Sequence, residues 1–113
     1  MAMAYEFYQD ADKDFANTCL EAAKKAWAFL EENPKLIFEN PEDITTGDYG
    51  DTSDTDERYW AAMQMYRATG DESYLQNFIG SAAKTGLDWT TVGDYGNIAI
   101  LTMENPNQTM YAK

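Results

Sequence analysis

Between Asp12 and Leu30 the apolar residues Phe15, Ala16, Cys19, Leu20, Ala23, Ala26, Trp27 and Leu30 recur at steps of three and four. That period covers one face of an α-helix and neither face of a strand, so the stretch must be an amphipathic helix lying on an apolar neighbour. Asp10 or Asp12 is placed to cap its start and Asn33-Pro34 ends it, which predicts a helix over 12–33. The shorter apolar-rich stretch from Met1 to Tyr8 reads as the tail of a preceding helix.

A second helix is expected over 55–69, where Tyr59, Trp60, Ala61, Ala62, Met63, Met65, Tyr66 and Ala68 leave little polar face. A helix apolar almost all round belongs among neighbours. Gly70 can take the left-handed position that closes it. Asp71 then caps a third helix over 72–85, striped by Tyr74, Leu75, Phe78, Ile79, Ala82 and Ala83 and stopped at Gly86. The two-residue break makes the pair a helix hairpin. A fourth helix is expected over 92–103, with Asn105-Pro106 breaking it. Residues 35–53, with Pro41, Gly47 and Gly50, keep no period and read as a long ordered loop, a kind that tends to be functional or disordered. No stretch reads as a strand. The expected class is all-α, built of helical hairpins of a size that suits solenoids and α/α toroids.

Composition then narrows the function. At 113 residues, 44% hydrophobic and 14% aromatic, the chain is expected to form one packed domain. Twenty acidic against eight basic residues give a net charge of -12, which disfavours nucleic acid and anionic membranes as partners. Neutral substrates, cations and basic proteins stay open. With no histidine, a His-based general base, a Ser-His pair and the usual zinc site are excluded. The single cysteine, Cys19, reads as a small buried apolar residue. The start has no basic segment before a long apolar run, so no signal peptide is expected, and no later stretch approaches a membrane span.

The informative string runs Thr46-Gly47-Asp48-Tyr49-Gly50-Asp51, then Asp56-Glu57-Arg58-Tyr59-Trp60-Ala61-Ala62, and closes on Tyr66-Arg67-Ala68-Thr69-Gly70-Asp71. It resembles the family-nine glycoside hydrolases, which carry a Thr-Gly, Tyr-Gly-Asp, Asp-Glu and Trp-Ala-Ala run followed by an Ala-Thr-Gly-Asp turn. Upstream, Phe15-Ala16, Cys19-Leu20, Ala26-Trp27 and Asn33-Pro34 fall in the order and spacing of that family. The resemblance covers roughly residues 1–89 and weakens after Trp89; Gln64 departs from a position where many members carry glutamate.

The resemblance implies part of an (α/α)6 toroid from a secreted, cellulase-type enzyme that hydrolyses β-1,4-glucan with inversion. Inversion needs two carboxyl groups about 6.5–9.5 Å apart with water between them. In the family these come from an Asp-Ala-Gly-Asp motif and a late glutamate, and neither is found in this sequence. The nearest string, Asp10-Ala11-Asp12, lacks the glycine, and the family's cleft histidine is missing as well. The chain is therefore expected to be an internal fragment, silent by itself, with no catalytic residue to assign.

The resemblance also implies a structural calcium site at the loop-to-helix junction, held by Thr46, Gly47, Asp56 and Glu57 with Asp51 as helper. Calcium takes six to eight oxygen ligands, which this loop concentrates. The competing reading is a capping box, Ser53 with Asp56 or Asp54 with Glu57. The spacing does not fit an EF-hand. For a β-glucan or cello-oligosaccharide partner, the residues implied are Trp89 and Tyr49, although Trp89 also suits core packing; Trp27 and Trp60 are expected in the core. Two readings outside hydrolysis stand beside this one, a tetratricopeptide-like interaction module and a non-catalytic carbohydrate-binding remnant. The first wants a repeat near 34 residues, and none is evident. A partial toroid leaves apolar faces uncovered, such as the second face of the helix at 57–68, so self-association is expected.

Overall fold

The computed structural model describes residues 1–47 and 50–113, and among them every regular element is helical. The helices are α1 (Ala2–Tyr8), α2 (Lys13–Glu32), α3 (Thr55–Thr69), α4 (Gly93–Leu101) and α5 (Gln108–Tyr111), with a 3₁₀ turn at Glu72–Leu75 between α3 and α4.

The long helix forms as its period predicts. Asp12 is the cap, its Oδ1 accepting the Phe15 N–H at 3.0 Å, and the Asn33 side chain donates to the Phe29 carbonyl at 2.8 Å where the helix ends. Its buried stripe is Ala16, Cys19 and Ala23, small residues that let α1 approach closely across the turn after Tyr8.

At the centre lies α3, as its all-round apolar character requires. Tyr59, Ala62, Met63 and Tyr66 join Leu75, Phe78, Ala99, Ile100 and Met110 in the main core. Met65 turns the other way, to Ala2 and Ala23. Trp27 and Trp60 are half-buried rather than core: Trp27 meets the Tyr74 ring edge to face at 5.2 Å, and Trp60 stacks on Tyr95 at 4.7 Å. Gly70 takes φ +72°, closing α3 in the left-handed conformation glycine adopts at little cost. Gly96 lets α4 lie against α3, since a Cβ there would come within 2.7 Å of the Tyr59 ring.

The helix expected over 72–85 does not form. Asp71 caps as anticipated, accepting the Ser73 N–H at 2.9 Å, and Leu75 and Phe78 are buried, but regular structure stops at Leu75. Tight turns follow, with Phe78 N–H on the Leu75 carbonyl and Ser81 N–H on the Phe78 carbonyl. Two causes are visible. Gly80 disfavours helix, and the Lys113 ammonium takes the carbonyls of Phe78, Ile79 and Ser81, which helix-forming amides would otherwise occupy. The fourth expected helix is α4, shorter by one residue at its start and two at its end. The four-residue α5 was not anticipated; Asn107 caps it through the Met110 N–H at 3.1 Å, and Met110 fills the core.

Candidate functional site

The acidic residues at the start of α3 do not form a capping box. Asp54 holds the cap position but makes no cap bond; its Oδ2 instead takes the Arg58 Nε at 2.8 Å. The same guanidinium donates to the Leu30 carbonyl at 2.6 Å and the Asn33 carbonyl at 2.8 Å, fastening the end of α2 to the start of α3. Ser53 sets its hydroxyl against that of Thr55 at 3.0 Å and gives its N–H to Asp51 Oδ1 at 2.9 Å.

Two carboxylate oxygens remain, Asp51 Oδ2 and Glu57 Oε2, both buried and without a hydrogen-bond partner among the described residues. Glu57 is half-buried as a residue while Oε2 itself is fully covered, so its lost hydration is local. Burial is the largest influence on the Glu57 carboxyl and raises its pKa, its own backbone N–H pulls the other way, and the charges of Asp56 and Asp51 raise it further. Thr46 and Gly47 lie in the exposed loop. Among the described residues no three acidic or cysteine side chains are drawn together tightly enough to hold an ion alone. A cation here would need backbone and hydroxyl oxygens as well, which is how calcium is ordinarily coordinated. Dehydrated, unpaired carboxylate oxygens among like charges have the donor chemistry such an ion would satisfy.

Asp56 faces elsewhere. Its Oδ2 accepts the Val92 N–H at 2.6 Å, across 36 positions of sequence. Val92 closes a loop of unusual local order. Asp88 Oδ1 accepts the N–H groups of Thr90 at 2.8 Å and Thr91 at 3.0 Å, and the Asp88 N–H returns to the Thr91 carbonyl at 2.9 Å. The Thr90 N–H, then Thr91, hold the Asp88 carboxyl below the usual aspartate range. Gly86 and Asp94 exchange bonds at the loop base, 3.1 and 3.2 Å. Behind it Asn97 donates to the Lys84 carbonyl at 2.8 Å and accepts the Tyr59 hydroxyl at 2.7 Å.

At the tip of this loop Trp89 is 72% exposed and does not pack in the core of this chain. Tyr49, the other residue read as cleft-lining, lies outside the described residues. Sequence reasoning missed Arg58, Asn97 and the Val92 amide. The Asp54–Arg58 spacing of four is a local pattern that could have marked Arg58, but its bonds to the end of α2, the Asn97 bonds to Lys84 and Tyr59, and the Val92 bond to Asp56 join residues far apart in sequence.

Two open grooves flank α3. The larger, about 980 Å³, runs between α1, α3 and α4 past Phe7, Trp60, Arg67, Tyr95 and Ile98. The smaller, about 370 Å³, is mostly apolar and has Trp27, Glu57, Trp60 and Met65 in its wall.

Compared with known proteins, the sequence matches the profile of glycosyl hydrolase family 9 over residues 1–111, so the likeness continues past Trp89. Endoglucanase D of Acetivibrio thermocellus is 36% identical over 113 residues, covering 95% of this chain and 18% of that protein. A cellodextrinase of Butyrivibrio fibrisolvens is 30% identical over 125 residues, 94% of this chain and 23% of its own length. A xyloglucan-specific endo-β-1,4-glucanase of Bacteroides ovatus is 35% identical over 82 residues, 66% of this chain and 14% of its length. The chain thus spans less than a quarter of each of these relatives.

Proposed function

The chain belongs to glycosyl hydrolase family 9, and from that membership we propose that it is a portion of a cellulase-type catalytic domain that contributes a sugar-stacking wall and a cation-held junction. The observation that carries this reading is Trp89. Its indole is 72% exposed at the tip of a loop held by hydrogen bonds at its base, its turn and its end. A flat apolar ring on a rigid support suits the face of a glucose unit, and the substrate class is a β-1,4-glucan or its oligosaccharides. An insoluble polymer of this kind is met outside the cell, where the whole enzyme is proposed to act.

The 113 residues include neither the Asp-Ala-Gly-Asp motif nor an assigned acid, so the isolated chain is proposed to bind glucan without cleaving it. Calcium is the proposed structural ion, held by Asp51 and Glu57 with oxygens from Thr46 and Gly47; Asp56, expected from the sequence as a further ligand, is taken up by the Val92 N–H. It would neutralise the carboxylate cluster and tie the loop before α3 to the core.

Titration of the purified chain with cellohexaose tests the binding claim. Saturable binding that falls at least tenfold in Trp89→Ala is expected, and no binding at millimolar sugar would remove the reading. Hydrolysis of a soluble cellulose derivative by this chain would refute the claim that it is silent.

A further inference from the structure

The loop that presents Trp89 is anchored in two different ways. The Asp88 turn lies within residues 88–91 and fixes the loop's internal shape, while the Gly86–Asp94 exchange ties the loop's base to the first turn of α4. The bond from the Val92 N–H to Asp56 Oδ2 reaches from the end of this loop directly to α3. It is short and charge-assisted, hence among the stronger kinds of hydrogen bond. It also sets a negative charge at the N-terminus of α4, where the helix dipole favours one and where Val92 supplies no side-chain cap. A carboxylate read from sequence as an ion ligand or cap residue is thus, in the fold, the strut of a loop 36 residues away.

The geometry points to Asp56 as a positioning residue of Trp89: by holding the Val92 amide it ties the end of the 86–92 loop to α3 and so restricts the direction in which the loop presents the indole to glucan. The sugar-binding consequence rests on the reading of Trp89 as a stacking residue, whereas the positioning itself does not. Asp56 touches no substrate in this scheme. It acts by limiting the orientations Trp89 samples before sugar arrives, so less ordering has to occur on binding.

The test uses the 113-residue chain in excess chelator, so that no divalent ion contributes. Amide exchange at Val92 and the indole N–H resonances of the three tryptophans are followed by NMR, with Trp89 assigned by its loss in Trp89→Phe. In Asp56→Ala, Val92 exchange is expected to accelerate roughly ten- to a hundredfold, the range for loss of a hydrogen bond to a charged group. The Trp89 indole moves while that of Trp27 stays. Asp56→Asn keeps a neutral acceptor and gives an intermediate, several-fold acceleration. Unchanged Val92 exchange in Asp56→Ala, or equal losses in the two variants, overturns the proposal.

If Asp56→Ala does not fold, Asp56→Asn decides: faster Val92 exchange with dispersed indole signals supports the role, and wild-type exchange overturns it. Collapse of all three indole signals in Asp56→Asn as well would make Asp56 a general support of the fold and would also overturn it. Cellohexaose is added last. A Trp89 resonance that ignores the sugar in the wild-type chain defeats the glucan reading and leaves the positioning result standing.

Discussion

At Glu57 the forces on one carboxyl set a pH dependence for the chain. Burial, followed by the charges of Asp56 and Asp51, raises its pKa in the folded state above that of the unfolded chain. A group shifted that way stabilises the fold below its unfolded pKa, and the contribution is lost as pH rises through the folded value. Without a divalent ion, the chain is therefore expected to gain stability on acidification from neutral pH into the raised glutamate range. Glu57→Gln should remove that gain, raise the melting temperature of the chelated chain at pH 7, and abolish any stabilisation by calcium. Circular dichroism melts with calcium and with chelator check all three. A wild-type melt indifferent to both calcium and pH would count against the cluster. At this scale the sequence was legible where partners are close: Asp12 with Phe15 and Asp71 with Ser73 are caps within three residues. Asp56 with Val92 was not, because only the fold brings residues so distant in sequence together.

Among the elements, strength of period separated what could be read from what could not. The 20-residue α2 and the 15-residue α3 are long enough for their apolar pattern to decide, and both form within a residue or so of the expected bounds. The stripe over 74–83 looked equally helical, yet its burial is achieved by turns whose carbonyls are satisfied from the chain's last residue, a tertiary contact no local pattern encodes. A four-residue helix such as α5 is too short to show a period at all. The α3–α4 contact gives the sharpest test at this scale. Because a Cβ on Gly96 would lie 2.7 Å from the Tyr59 ring, Gly96→Ala must push the helices apart or bend the Tyr59–Asn97 bond. Its better helix propensity, about 1 kcal/mol, is smaller than the 1–3 kcal/mol typical of an overpacked core. Net destabilisation of about 1 kcal/mol or more is expected by urea denaturation, and a stabilised variant would show that the helices are free to separate.

Taken as a whole, the molecule exposes more surface than its mass requires. Its 7710 Å² exceeds by about 1400 Å² the roughly 6300 Å² expected of a compact monomer of 12.8 kDa. The radius of gyration, 15.3 Å, likewise exceeds the approximately 13 Å of a compact domain of this length. On one copy the excess is larger than the roughly 800 Å² that each partner buries in a standard interface. Much of it is apolar: Phe7 is 80% exposed, Leu101 57% and Ile98 48%, on the helices that frame the larger groove. Against association stands the net charge of -12, which repels like copies over a Debye length of about 10 Å at 0.1 M salt. The two effects respond oppositely to ionic strength, since salt screens the repulsion and leaves apolar burial intact. Purified chain is therefore expected to self-associate through these faces, weakly at low salt and more strongly at high salt. In sedimentation velocity the weight-average coefficient should rise with protein concentration, and more steeply as salt is raised. A constant monomer coefficient across concentration at both salt levels would mean that the uncovered faces do not drive association.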